Sequence, residues 1–105
     1  LFTNPFHESF WDLLRDQGHM AAYGDWMRSV EALVGRYPPG TVELWDFSVD
    51  SAYIHESVPA AGVKSGALQW FWEPAHYRRE LGDLMVNAML SDSCGTDVAF
   101  GRKLY

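Results

Sequence analysis

The feature that most constrains this chain is a helix that is halted and followed at once by a strand. From Met20 to Tyr37 the apolar residues Tyr23, Trp26, Met27, Val30, Leu33, Val34 and Tyr37 recur at helical spacing, while Asp25, Arg28, Ser29 and Glu31 fall off that stripe. Pro38-Pro39-Gly40 ends the helix, because neither proline can continue its hydrogen-bond ladder. Residues 41–47, Thr-Val-Glu-Leu-Trp-Asp-Phe, then read as a strand that is apolar or aromatic on both faces, and so covered on at least one. Helix, tight break, strand, loop and helix is the rhythm of an α/β fold with parallel strands.

The flanking segments fit that rhythm. Leu1-Phe2-Thr3 reads as the tail of a strand, and Asn4-Pro5 as the cap and first turn of a helix with Phe6, Phe10, Leu13 and Leu14 on one face and Gly18 as its stop. Residues 48–69 show no convincing period. The stretch 70–90 opens on Trp70-Phe71-Trp72 and continues as an amphipathic helix whose stripe is Leu81, Leu84, Met85 and Ala88, with Tyr77 extending it backwards. Pro74 suits a first helical turn. That reading puts Glu73 at or just before the N-cap and His76 in the first turn, where the helix dipole favours a carboxylate and a neutral imidazole. A neutral histidine beside a carboxylate is what a general base needs. A capping carboxylate with a histidine bonded to it gives the same spacing without chemistry. Beyond the helix, Ser91 to Asp97 reads as a turn and residues 98–105 as a short tail of alternating character.

Strands need neighbours, and two or three helices with one or two parallel strands leave a sheet incomplete. Residues 1–105 are therefore expected to be a single partial α/β domain, the C-terminal portion of a longer protein, or one that pairs with another copy.

Composition removes several classes of function. Hydrophobic residues at 48% against 21% charged describe a globular chain. The net charge of −6, with eight Lys and Arg that are scattered apart from Arg78-Arg79 and Arg102-Lys103, predicts no nucleic-acid partner. A single cysteine, Cys94, allows neither an internal disulfide nor a zinc site built on several thiolates. His7, His19, His55 and Asp46 match no zinc spacing, so no metal or other cofactor is expected. No apolar run approaches the roughly 18–20 residues that span a bilayer, so no transmembrane segment is expected in this chain. Asp46, at the C-terminal end of its strand, stands where α/β sheets bind ligands, or else simply starts a turn. Trp70 and Trp72 are candidate pocket-lining residues that stack on a sugar; three aromatic residues in a row also pack cores and lids.

Glu73-Pro74-Ala75-His76-Tyr77, followed by Gly82-Asp83-Leu84, resembles the last sequence block of the SGNH (GDSL-type) hydrolase and acyltransferase superfamily, where an acid, two residues and a histidine precede the final helix. Trp45-Asp46-Phe47-Ser48 is similar to the strand and loop leading to that block in SGNH-like proteins of bacterial surface-polysaccharide acetylation. Asn4-Pro5-Phe6-His7 and the helix from Tyr23 to Val34 occupy the order expected ahead of it. The resemblance implies a flavodoxin-like three-layer fold, an extracytoplasmic or periplasmic setting, and ester chemistry by a Ser-His-acid triad on acyl esters, acetylated carbohydrate among them. It makes His76 the base and Glu73 the acid that orients it, although the family has Asp there, one methylene shorter.

The family's Gly-Asp-Ser-like block and its oxyanion-hole blocks are absent, and so is a Gly-x-Ser-x-Gly elbow. Ser9, Ser29, Ser48, Ser51, Ser57, Ser65, Ser91 and Ser93 show no activating context in the sequence. The chain is thus expected to carry half a triad and to be inactive alone. The competing reading is a non-catalytic α/β module that dimerises or binds a partner through an aromatic-rich face.

Overall fold

The computed structural model describes residues 1–63, 68–90 and 100–105, and the turn read at Ser91 to Asp97, with Cys94, lies outside them. The chain is a small α/β protein. Its described elements are β1 (Phe2–Thr3), α1 (Glu8–Asp16), α2 (Met20–Val34), β2 (Trp45–Asp46), β3 (Phe71–Glu73), β4 (His76–Tyr77), α3 (Arg79–Leu90) and β5 (Arg102–Lys103).

Helix α1 starts three residues later than the sequence pattern suggests, because His7, and not Asn4, caps it: the Ser9 N–H donates to His7 Nδ1 at 3.2 Å. It stops where expected. Gly18, at φ +73°, lets its N–H reach Arg15 O at 3.0 Å while the His19 N–H reaches Leu14 O at 2.8 Å, which satisfies two carbonyls the helix end would leave open. Helix α2 ends at Val34, ahead of Tyr37, and residues 35–37 unwind in shorter turns before Pro38.

The strand expected over 41–47 narrows to β2, the centre of a mixed sheet in the order β1-β2-β5. β1 lies parallel to it, with Phe2 opposite Trp45 and Thr3 opposite Asp46, the pairing the helix–strand rhythm predicts. β5 lies antiparallel, with Asp46 opposite Arg102, and gives the tail the role its sequence left open. Gly101 leads into β5 at φ +86°, with the ring of Phe47 against its Cα, so any side chain there meets that ring.

The main correction falls on residues 71–78. No helix starts at Pro74. Residues Phe71–Glu73 and His76–Tyr77 form an antiparallel hairpin, and α3 begins at Arg79. The aromatic run is strand-forming, and Pro74, whose ring presets φ, serves the hairpin turn as well as it would a helix start. His76 therefore lies in β4, ahead of α3 and outside its first turn, and Glu73 does not cap α3.

The core is aromatic and sits between the loop after β2, the hairpin and α3: Phe47, Ile54, Phe71, Leu81, Met85 and Phe100 are all buried. Leu84 and Ala88 pack against it as their stripe predicts. By contrast Val34 is the only buried residue of α2; Trp26 and Leu33 stay half exposed. The molecule is also flat. Its radius of gyration is 15.5 Å, against about 13 Å for a compact chain of this length, and its shortest extent is 18 Å.

Candidate functional site

The hairpin brings Glu73 and His76 together. Register places them opposite one another at the turn. One carboxylate oxygen of Glu73 accepts the Ala75 N–H at 3.0 Å, bracing the turn, and the other meets Nδ1 of His76. The Ala75 amide, and then His76, hold the Glu73 carboxyl below its ordinary range. The imidazole is otherwise open to solvent, with its side chain 79% exposed. Arg78 fastens the other end of the hairpin. Its N–H donates to Trp70 O at 2.7 Å, its Nη1 donates to Leu68 O at 2.7 Å, and its guanidinium lies 4.0 Å from the centre of the Trp72 ring.

The two tryptophans part company. Trp70 packs edge-on against Tyr53, with ring centres 4.8 Å apart, and belongs to the core. Trp72 points outwards and, with Glu73, lines a groove of about 560 Å³ whose other walls include His7, Ser9, Val58 and Leu68. Asp46 is buried, where the sequence left a ligand-facing role open. It accepts hydrogen bonds from Thr3 Oγ1 (2.8 Å), Ser48 N (2.9 Å), Ser48 Oγ (2.5 Å) and Arg102 Nη2 (3.1 Å), which tie all three strands of the mixed sheet to the loop behind. Burial works to raise its carboxyl, but these donors outweigh it and the net shift is downward. Asp46 is a strut of the sheet, and the Tyr23 hydroxyl, 3.0 Å from Ser48 Oγ, extends the network to α2.

Two further clusters escaped the sequence. His55 stands between two carboxylates, Nδ1 2.5 Å from Glu8 and Nε2 2.5 Å from Asp50, clasping the loop after β2 to the first turn of α1. These two bonds push its ionisation upward. His7 is buried, with Nε2 2.6 Å from Glu56 O and Nδ1 2.9 Å from Ser9 Oγ. The only sequence signal for that pair is a histidine two residues before a serine at the start of an apolar helical period. Its other partner, Glu56, comes from a loop without any pattern. Among the described residues no group of three His, Cys, Asp or Glu side chains is placed to hold a metal ion, and no helix is long and apolar enough to cross a membrane.

Compared with family models, with curated proteins and with solved structures, the chain matches none.

Proposed function

We propose that this chain supplies the histidine–acid half of a serine-type acyl-transfer site, as the C-terminal part of an SGNH-like esterase or O-acetyltransferase with a flavodoxin-like sheet. The observation that carries the reading is the Glu73 carboxylate on Nδ1 of His76, with the rest of the ring turned to solvent. In a Ser-His-acid site the acid holds Nδ1, and Nε2 takes the proton from the serine hydroxyl and later returns it to the leaving group. Glu73 would fix the ring and stabilise its protonated form, and the groove beside Trp72 and Glu73 has room for an acyl ester or an acetylated sugar. This reading takes the nucleophile from outside the residues quoted for the resemblance. The test is hydrolysis of p-nitrophenyl acetate by the longer protein, with and without His76→Ala. A fall of about a hundredfold or more is expected for loss of a general base, and unchanged turnover removes His76 from the mechanism.

A second reading rests on a different observation. A groove of about 510 Å³ lined by Phe2, Phe6, Phe10, Leu14, Tyr23 and Trp26 leaves apolar surface of α1, α2 and β1 open, as an interaction module would. Sedimentation of the chain separates the two: a stable dimer favours the module, and a well-folded monomer counts against it.

A further inference from the structure

The arrangement at the start of α1 goes beyond the Glu73–His76 reading and does not depend on it. His7 Nε2 lies 2.6 Å from the Glu56 carbonyl oxygen, which can only accept, so Nε2 carries a proton. Nδ1 accepts the Ser9 backbone N–H at 3.2 Å, so Nδ1 bears a lone pair and the ring is neutral. The Ser9 hydroxyl, 2.9 Å from that same nitrogen, must then donate to it, which turns the oxygen lone pairs of Ser9 away from the ring. His7 is buried, so this tautomer and ring orientation are fixed by packing, against Phe71 among others. Ser9 and His7 both line the groove of about 560 Å³. We infer that Ser9 is a nucleophile with His7 as its base and the Glu56 carbonyl as the group that orients the base, and that it accepts an acyl group from an activated ester bound in this groove.

The step balances within the pair. Ser9 Oγ forms a bond to the acyl carbon as its proton moves to His7 Nδ1. Collapse of the tetrahedral intermediate breaks the bond to the leaving oxygen, which takes the proton from Nδ1, and Ser9 is left as an ester. The Glu56 carbonyl favours the transient imidazolium, since it already accepts from Nε2. The amides of the first turn offer the oxyanion no hole. Glu8 N–H is bonded to Ile54 O, Ser9 N–H to His7 Nδ1 and Phe10 N–H to His7 O. Acylation therefore requires a good leaving group, and the chain stops at the acyl-serine with little turnover.

The experiment is treatment of the chain with p-nitrophenyl acetate, followed by peptide mass mapping of the acetyl adducts over a range of pH. Ser29 is the internal control, because its hydroxyl donates to the Asp25 carbonyl in the open and has no base. Ser9 is expected to acylate about a hundredfold faster than Ser29, the contribution of a positioned base. Its rate should level off with rising pH and not climb with hydroxide, because the base is already in place. Ser9→Ala should lose the adduct and keep its far-UV circular dichroism, because the backbone N–H that His7 caps remains. Acylation of Ser9 no faster than Ser29 overturns the proposal, and a rate climbing with hydroxide without a plateau overturns the role of His7. The readout is the position of an adduct on Ser9, so failure here leaves the turnover test of His76 standing.

Discussion

Replacing Asp46 by Asn should cost this protein much of its stability at neutral pH, and the pH dependence of that cost should identify the reason. Asp46 Oδ1 accepts from Thr3 Oγ1, Ser48 N and Ser48 Oγ, and Oδ2 from Arg102. In the variant one oxygen can keep the first three donors, each bond falling from the charged to the neutral class at about 1 kcal/mol apiece. The amide nitrogen then faces the Arg102 guanidinium, donor against donor, and because that guanidinium is largely in solvent the contact is worth about 0–1 kcal/mol. The total is about 3–4 kcal/mol, set against a typical stability of about 5–15 kcal/mol. In urea that lowers the unfolding midpoint by about 1–2 M, read by far-UV circular dichroism. The Asp46 carboxyl is held below its ordinary 3.8, so its stabilisation is present above that pH and is lost as pH falls through the lower value of the folded state. The gap between wild type and variant should therefore be constant from neutral pH to about 5 and shrink under acid. A variant with a wild-type midpoint at neutral pH, or a gap unchanged in acid, refutes the account of Asp46 as a charged strut.

The other predictions are narrower. Gly101→Ala should destabilise by about 1–3 kcal/mol more than Gly40→Ala. Both glycines have positive φ, but only at Gly101 does a side chain meet the Phe47 ring, so equal urea midpoints would discount that contact. The His55 ring proton signals should titrate above the ordinary 6.5, and Glu8→Gln should lower the midpoint. By the sign of that shift, the clasp stabilises fully below 6.5 and fades as pH rises through the folded-state value; a midpoint that ignores Glu8→Gln would deny the contact. The Glu73 carboxyl carbon should titrate below 4.5, and His76→Ala should move it only part of the way back, since the Ala75 amide remains. Complete return to 4.5 would mean that the turn does not hold the carboxylate.

The parts of this fold legible in sequence are those set by local periodicity. Helix α2 and the stripe of α3 follow from residues three and four apart, and the parallel pairing of β1 with β2 follows from the break at Pro38-Pro39-Gly40. The hairpin was hidden because Phe71–Glu73 and His76–Tyr77 are too short to display alternation, and Pro74 is equally at home in a turn and in a first helical turn. Glu73 and His76 were legible as a pair because they are three residues apart, whereas their setting was not. His7 with Glu56 and His55 with Glu8 are 49 and 47 residues apart, in contacts made only by tertiary packing. The role of Asp46 turned on β5 and its Arg102, in a tail without readable pattern.

Moving His76 from a helix to a hairpin changes the chemistry available to it. At a helix N-terminus the dipole opposes an imidazolium, so a base placed there is neutral at rest but is resisted when it takes a proton. In β4 the ring instead meets the Glu73 carboxylate at Nδ1, the contact through which the acid of a Ser-His-acid site holds its base. His7 differs, because it caps α1 and its partner at Nε2 is the neutral Glu56 carbonyl in place of a carboxylate. The two histidines share a frame, since the His7 N–H bonds to Pro74 O at 3.0 Å and so ties the cap of α1 to the hairpin turn. If both act as bases, that difference makes His76 suited to turnover and His7 to a single slow acylation. An acyl group placed on Ser9 would then sit in the groove that Glu73 lines, beside the turn that holds His76.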